Sequence, residues 1–236
     1  MVKYKRILLK LSGEALAPAD RSEGILDFDF ISKVALQIKD CVCAGTQVAI
    51  VIGGGNIWRG KKGVQVTRSR SDSMGMLATT INSLAFKTGL ENVGVPCEVL
   101  SALPMDKIAE YYTNEKAISY LEEGKVVIVS GGSGNPYFST DTAAILRCAE
   151  LECEAALFAK NIDGIYTADP KLDTNARKIE KLTYTEIIDK NLQAIDLSAA
   201  AFGRENDIPL ICFGLKEENS IMRVCAGEKL GTVISN

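Results

Sequence analysis

Lys10 lies near the end of an otherwise apolar run, Arg6-Ile-Leu-Leu-Lys-Leu11, which leads into Ser12-Gly13-Glu14. A buried lysine is costly unless an anion pairs with it; the ordinary alternative is a strand-end lysine whose ammonium reaches water. Two further turns of small residues follow apolar runs: Gly53-Gly54-Gly55-Asn56 and Gly131-Gly132-Ser133-Gly134. Glycine lets backbone N–H groups approach an anion closely and adopt positive φ, and helix N-termini at the same edge add partial positive charge. Taken singly, each turn is equally well explained by the needs of a strand-to-helix connection. Taken together, the three could line one long polyanionic site. Arg59 follows the second turn closely. Asp141 falls in the first turn of an expected helix and Asp196 just before another, so each carboxylate either caps its helix or organises the lysine. A lysine and an arginine flanking phosphates, with carboxylates holding them, suit phosphoryl transfer. That reaction needs positioning and charge neutralisation more than a strong base.

The elements that must place these residues alternate. Strands are expected over Arg6–Leu11, Val48–Ile52, Pro96–Leu100, Lys125–Ser130, Ala155–Ala159, Pro209–Phe213 and Gly231–Ile234. Helices are expected over 27–45, where Ile31, Val34, Ala35, Ile38 and Val42 recur at helical spacing, over 73–90 with Leu77, Ile81 and Leu84 on one face, and over 115–123 and 140–154. Thr183-Tyr-Thr-Glu186 reads as a capping box before a helix, and Asp196 can cap the next helix, which runs through about Arg204. Strand–helix alternation implies an α/β fold, a three-layer α/β/α sandwich around a mainly parallel sheet. One domain spanning 1–236 is expected, with lobes dividing near residue 150. Ligands of such a sheet bind outside the carboxyl ends of its strands.

Composition narrows the chemistry. The 236 residues are 47% apolar and 24% charged, ordinary for a globular chain. There is no histidine, which removes Ser-His-Asp and Cys-His catalysis and HExxH zinc chemistry. The seven cysteines form no CxxC, so free thiols are expected and no protein-held metal. The net charge of −3 argues against a protein built to coat nucleic acid. The run 59–70 holds five basic residues in twelve, but it lacks interleaved aromatics beyond Trp58 and reads as a solvated loop with Arg59 functional. No GxxxxGK[ST] and no GxGxxG occur. No apolar stretch is long enough for a bilayer span, no targeting segment stands out, and a cytoplasmic location is expected.

Several segments then occur in a fixed order: Lys10-Leu-Ser-Gly-Glu14, Val51-Ile-Gly-Gly-Gly-Asn56 with Arg59-Gly60, Asp72-Ser-Met-Gly-Met-Leu77, Gly134-Asn-Pro-Tyr-Phe-Ser-Thr-Asp141, Asp163-Gly-Ile-Tyr-Thr-Ala-Asp-Pro170 and Glu228-Lys-Leu-Gly-Thr232. Together they resemble the bacterial uridylate (UMP) kinases of the amino-acid-kinase superfamily, over essentially the whole chain. The resemblance implies ATP + UMP → ADP + UDP, with Mg²⁺ carried by ATP, in cytosolic pyrimidine nucleotide synthesis. It implies a homohexamer inhibited by UTP. The Ser22–Asp27 segment lacks a glycine associated with GTP activation, which is therefore expected to be weak or missing.

By the same resemblance Lys10 bridges the transferring phosphoryl group. Leu11, Ser12, Gly13, Gly55 and Arg59 meet ATP phosphates. Asn161, Tyr166 and Asp169 form the adenosine pocket, with Lys160 an alternative to Asn161 for adenine. Gly54, Asp72 and the loop Ser133, Gly134, Asn135, Pro136, Tyr137, Phe138, Ser139 and Thr140 bind UMP. Asp141 and Asp196 organise the lysine and the metal-nucleotide charges. Met74, Met76 and Leu77 are expected in the helix core or at an oligomer interface. The alternatives are another kinase of the superfamily acting on a carboxylate, or a non-catalytic nucleotide-sensing regulator on the same scaffold.

Overall fold

The computed structural model describes residues 2–59, 65–168, 170, 172–192 and 194–236. In chain order its main elements are β1 (Arg6–Leu11), α1 (Phe28–Cys43), β2 (Gln47–Ile52), α2 (Arg68–Asn92), β3 (Cys97–Ser101), β4 (Glu110–Tyr111), α3 (Asn114–Glu122), β5 (Val126–Ser130), α4 (Thr140–Glu150), β6 (Ala155–Lys160), β7 (Ile165–Tyr166), β8 (Lys178–Ile179), β9 (Lys181–Thr183), α5 (Tyr184–Asp189), α6 (Leu197–Glu205), β10 (Leu210–Gly214), α7 (Ser220–Cys225) and β11 (Thr232–Ser235). Among the described residues nine strands form one sheet in the order β4-β3-β5-β2-β1-β6-β10-β11-β9, and β7 with β8 forms a separate ribbon. Within the large sheet only the β10–β11 pairing is antiparallel.

Strand alternation builds two cores from one sheet. On one face Ile7, Leu9 and Leu11 join Val48, Ile50 and Leu157 beneath α1, α2 and α7. On the other, Leu8 joins Ala49, Val51, Ala156 and Phe158 beneath α3, α4, α5 and α6. The expected three-layer α/β/α sandwich is therefore present. The helix signals act as read: Asp27 caps α1 by accepting from the Phe30 N–H at 2.9 Å, Ile31, Val34, Ala35 and Ile38 are buried, and Gly45 follows at φ +96°. The capping box of Thr183 and Glu186 forms reciprocally. All seven cysteines are free. No helix among the described residues is long and apolar enough to cross a membrane.

Three expectations need correction. The helix read over 73–90 is α2, which begins five residues earlier and ends two later. Leu77, Ile81 and Leu84 do share a face, but that face is exposed while Met76 is buried. The buried side of α2 is instead rich in Ser, Thr and Asn, because it supplies hydrogen bonds to neighbouring turns. Finally, α4 stops at Glu150, four residues short of the expected end, with Glu152 at positive φ.

Candidate active site

The chain order reverses at β1. Strands β2 to β5 lie on one side of it, and β6, β10, β11 and β9 on the other. The carboxyl ends of β1, β2 and β6 therefore border the crevice expected of an open α/β sheet. Lys10 stands at that edge, in register with Val51 of β2 and Phe158 of β6. Its parity matches Leu8, so its side chain belongs to the face covered by α4. There its Nζ lies 2.9 Å from Asp141 Oδ1, and Lys10 is 9% exposed. The ammonium is paired rather than reaching for water.

Asp141 does not cap α4. Ser139 does, its Oγ accepting from the N–H groups of Asp141 and Thr142. The Asp141 carboxyl is thus free to face Lys10. Burial pushes its pKa up, but Lys10 and then Lys160, together with hydrogen bonds from Lys10 and the Asp196 N–H, hold it below the ordinary 3.8. Asp196 precedes α6 without a side-chain capping bond, so what it brings to the pair is its backbone N–H.

The glycine turns meet here. A Cβ on Gly13 would overlap the Gly53 carbonyl, and one on Gly54 would come within 2.9 Å of the Gly75 carbonyl and the Ala78 Cβ. Only glycine lets the turn after β1, the turn after β2 and α2 close on one another. The Asn82 Nδ2 donates to the Gly53 carbonyl at 2.7 Å and pairs with the Asn56 amide. Thr79 Oγ1 accepts the Gly131 N–H at 2.8 Å. Polar residues on the buried side of α2 thus fix two of the three glycine turns. Arg59 sits above the turn after β2, paired with Glu14.

Between these turns opens a cavity of about 220 Å³ lined by Gly54, Gly55, Trp58, Asp72, Gly75, Met76, Thr79, Gly132, Ser133, Asn135, Phe138, Ser139 and Thr140. Most residues expected to bind the acceptor share this wall; Gly134, Pro136 and Tyr137 belong to the same loop without lining it. Asp72 ties the loop to α2: its Oδ2 accepts the Tyr137 N–H at 2.8 Å, and both its oxygens accept from Arg68 Nε. Tyr137 is held at φ +72°, a conformation a bulky residue rarely adopts, with the Arg68 guanidinium 5.5 Å from its ring.

The residues expected to hold adenosine lie beyond β6. Asn161 is exposed and Tyr166 is half-buried in the β7–β8 ribbon. Tyr166 donates to Asp163 at 2.9 Å, and Lys178 Nζ lies 3.0 Å from the other Asp163 oxygen. Neither Asn161 nor Tyr166 lines the 220 Å³ cavity. Asp169, and residues 60–64 of the basic run, lie outside the described residues.

Sequence reasoning missed four contributors. Thr79 and Asn82 gave no signal, because a polar residue in a helix reads as surface. Glu14 stood inside a quoted motif, yet nothing in the sequence connected it to Arg59. The resemblance offers Lys160 only as an adenine contact, whereas its charge reaches Asp141 while its Nζ donates to the Ala194 carbonyl.

The comparisons with known proteins agree with this geometry. A family-wide description, "Amino acid kinase family", matches residues 5–214. The UMP kinase of Bacillus anthracis is 36% identical with a TM-score of 0.93, over 98% of this chain and 96% of that one. The UMP kinase of Ureaplasma parvum is also 36% identical, with a TM-score of 0.92 over 99% and 100%. The uridylate kinase of Archaeoglobus fulgidus is 26% identical with a TM-score of 0.73, over 97% and 99%. With its switch-point crevice, its glycine turns and a family match over most of its length, this chain belongs to the amino acid kinase family.

Proposed function

We propose that this chain is a nucleoside monophosphate kinase that transfers the ATP γ-phosphoryl group to UMP. The observation that carries the reading is the junction of two structures: the buried Lys10–Asp141 pair and, beside it, a cavity walled by Asp72 and the Ser133–Thr140 loop. Its likeness over nearly the full chain to proteins named UMP kinases supports the choice of acceptor. UMP occupies the cavity, with its phosphate toward Gly54, Gly55 and Lys10. ATP lies across β6, with its phosphates over Ser12 and Gly13 and its base toward Asn161 and Tyr166.

In this reading Lys10 neutralises charge on the transferring phosphoryl group, and Asp141 fixes where the ammonium points. Arg59 leaves Glu14 for the phosphates at the junction. With its pKa held low, Asp141 stays a carboxylate at neutral pH and acts through charge, not as a proton acceptor. No cluster of three or more Cys, Asp or Glu among the described residues could hold a metal. Carboxylates as sparse as Asp141 and Asp196 fit a Mg²⁺ ion that arrives on the ATP phosphates, where it supplies further charge neutralisation. Cytoplasmic pyrimidine synthesis and inhibition by UTP belong to the same proposal. So does a homohexamer, which the exposed row of Leu77, Ile81 and Leu84 suits as a contact between copies.

An acceptor panel with Mg-ATP tests the reading. ADP release is expected with UMP, and much less with CMP or dTMP. Turnover of N-acetylglutamate or aspartate in place of UMP would replace the nucleotide reading with a carboxylate kinase.

A further inference from the structure

Two cations are buried among the described residues, Lys10 and Arg147. The proposed chemistry uses the first and leaves the second without a task. Arg147 is 5% exposed and lies on α4, the helix whose first turn holds Asp141. One of its terminal nitrogens is 2.5 Å from Glu150 Oε2, and its guanidinium stacks 4.1 Å from the Tyr112 ring centroid. The Tyr112 hydroxyl donates to the same Glu150 oxygen at 2.7 Å. The Arg147 Nε has no partner.

A buried guanidinium with an unsatisfied Nε, paired with a carboxylate that is itself half-buried, is a poor way to gain stability, since apolar residues of similar volume often do as well or better. Its geometry suggests another use. The second terminal nitrogen of Arg147 faces the Gly132 carbonyl at 3.5 Å. Gly132 belongs to the acceptor loop, where Gly131, Gly132 and Gly134 all have positive φ. A chain of such residues has little conformational preference of its own. Thr79 holds this loop from the cavity side through the Gly131 N–H. A second cavity, of about 420 Å³, lies on the other side of the loop; Arg147, Glu150 and Tyr112 line it, and Ser133 borders both cavities. The loop is therefore a thin partition, and Arg147 braces it from behind.

We infer that Arg147 is a positioning residue for the acceptor. Glu150 and Tyr112 orient its guanidinium, and it sets the Gly131–Asn135 backbone that forms one wall of the UMP site. It touches neither substrate. The inference rests on the UMP reading above.

The test is Arg147→Lys, which keeps the charge but loses the planar fork. KM is measured for UMP and for ATP separately, with the UMP Kd from calorimetry and folding checked by thermal melting. The UMP KM and Kd should rise about tenfold, the scale of one charged hydrogen bond. The ATP KM should stay within about twofold, because the donor lies across β6 from this loop. A purely structural role would lower the melting temperature and the active fraction while leaving the UMP Kd unchanged, and that result would overturn the inference, as would equal rises in both KM values. Should Arg147→Lys fail to fold, Tyr112→Phe removes only the hydroxyl bond to Glu150; a rise of about threefold in the UMP Kd alone is expected, and no rise would overturn the inference. Wild-type protein that does not turn over UMP would sink the functional reading and this one with it. Wild type that uses UMP beside an unaffected Arg147→Lys would sink this one only.

Discussion

The two sides of β1 are built differently. Toward β2 and β5, residues far apart in sequence clamp one another: Asp72 holds Tyr137, Thr79 holds Gly131, Asn82 holds Gly53, and Arg147 faces Gly132. Toward the β7–β8 ribbon the backbone is also clamped, since the Thr232 hydroxyl accepts the Ile165 N–H and donates to the Ile179 carbonyl. The side chains expected to meet the base are less tied: Asn161 is exposed, Tyr166 bonds Asp163 three residues away in a half-exposed position, and neither lines the acceptor cavity. The acceptor loop is held by side chains that reach it from other elements, whereas on the donor side the ribbon backbone is held and the side chains expected to face the base are the looser part. Preorganisation is useful where a reacting group must be placed to within a fraction of an ångström. A nucleotide base far from the reacting atoms has no such requirement.

Lys10 lies on the boundary between the two sides, and its removal should have the largest effect. Lys10→Met should lower kcat by at least about 10²-fold, the scale of losing one charge-stabilising contact, with a much smaller change in the ATP KM. It should also destabilise the fold at pH 7 by about 3 kcal/mol, because Asp141 is left as a buried carboxylate without its main counter-charge. The sign of the pH dependence follows. In wild type the folded pKa of Asp141 is below 3.8, so its contribution is present above that value and lost as pH falls through the folded pKa. In Lys10→Met burial dominates and the folded pKa rises above 3.8, so the deficit should shrink on acidification toward pH 4. Thermal melts of both proteins at pH 7 and pH 4 read this directly. A deficit that does not change with pH would mean that Asp141 is not held by Lys10.

Next in size is Asp72→Ala. It removes the acceptor for the Tyr137 N–H and the partner of Arg68. A lost hydrogen bond to a charged group is worth about 2 kcal/mol, so the UMP KM should rise about 30-fold while the ATP KM stays put. If the ATP KM rose by as much, the clamps on the acceptor side would be shaping both sites, and the contrast drawn above would fail.

The sequence exposed one side of this molecule better than the other. The strands were legible because β1, β2, β5 and β6 are short continuous apolar runs ended by small residues, as strands buried on both faces must be. Lys10 stood out because a charge at the end of such a run is expensive. The mesh that holds the acceptor loop was invisible: Thr79, Asn82 and Arg147 lie on helices, and no local pattern says that a helix will turn its polar residues inward. For the same reason Leu77, Ile81 and Leu84 read as a face without revealing that it looks outward. Burial of α2 is decided by what the glycine turns need, and that is a property of the assembled fold. The short β7–β8 ribbon escaped notice because two-residue strands carry no period to detect.

The smallest expected effect comes from the donor side, and it is the sharpest test of the contrast. Asp163 is held below its ordinary pKa of 3.8: burial raises it, but the hydrogen bonds from Lys178 and Tyr166 outweigh that. Tyr166→Phe deletes one of those two bonds and leaves Lys178 in place. All three groups are partly open to solvent, where water replaces a lost hydroxyl at little cost. The loss should therefore be no more than about 1 kcal/mol, which corresponds to roughly a fivefold rise in the ATP KM, with the UMP KM unchanged. Initial-rate kinetics with each substrate varied in turn would separate the two constants. A hundredfold loss would require that the hydroxyl fix the donor site as rigidly as Asp72 fixes the acceptor loop. In that case the two sides of β1 would be equally preorganised, and their difference in exposure would say nothing about how each binds its nucleotide.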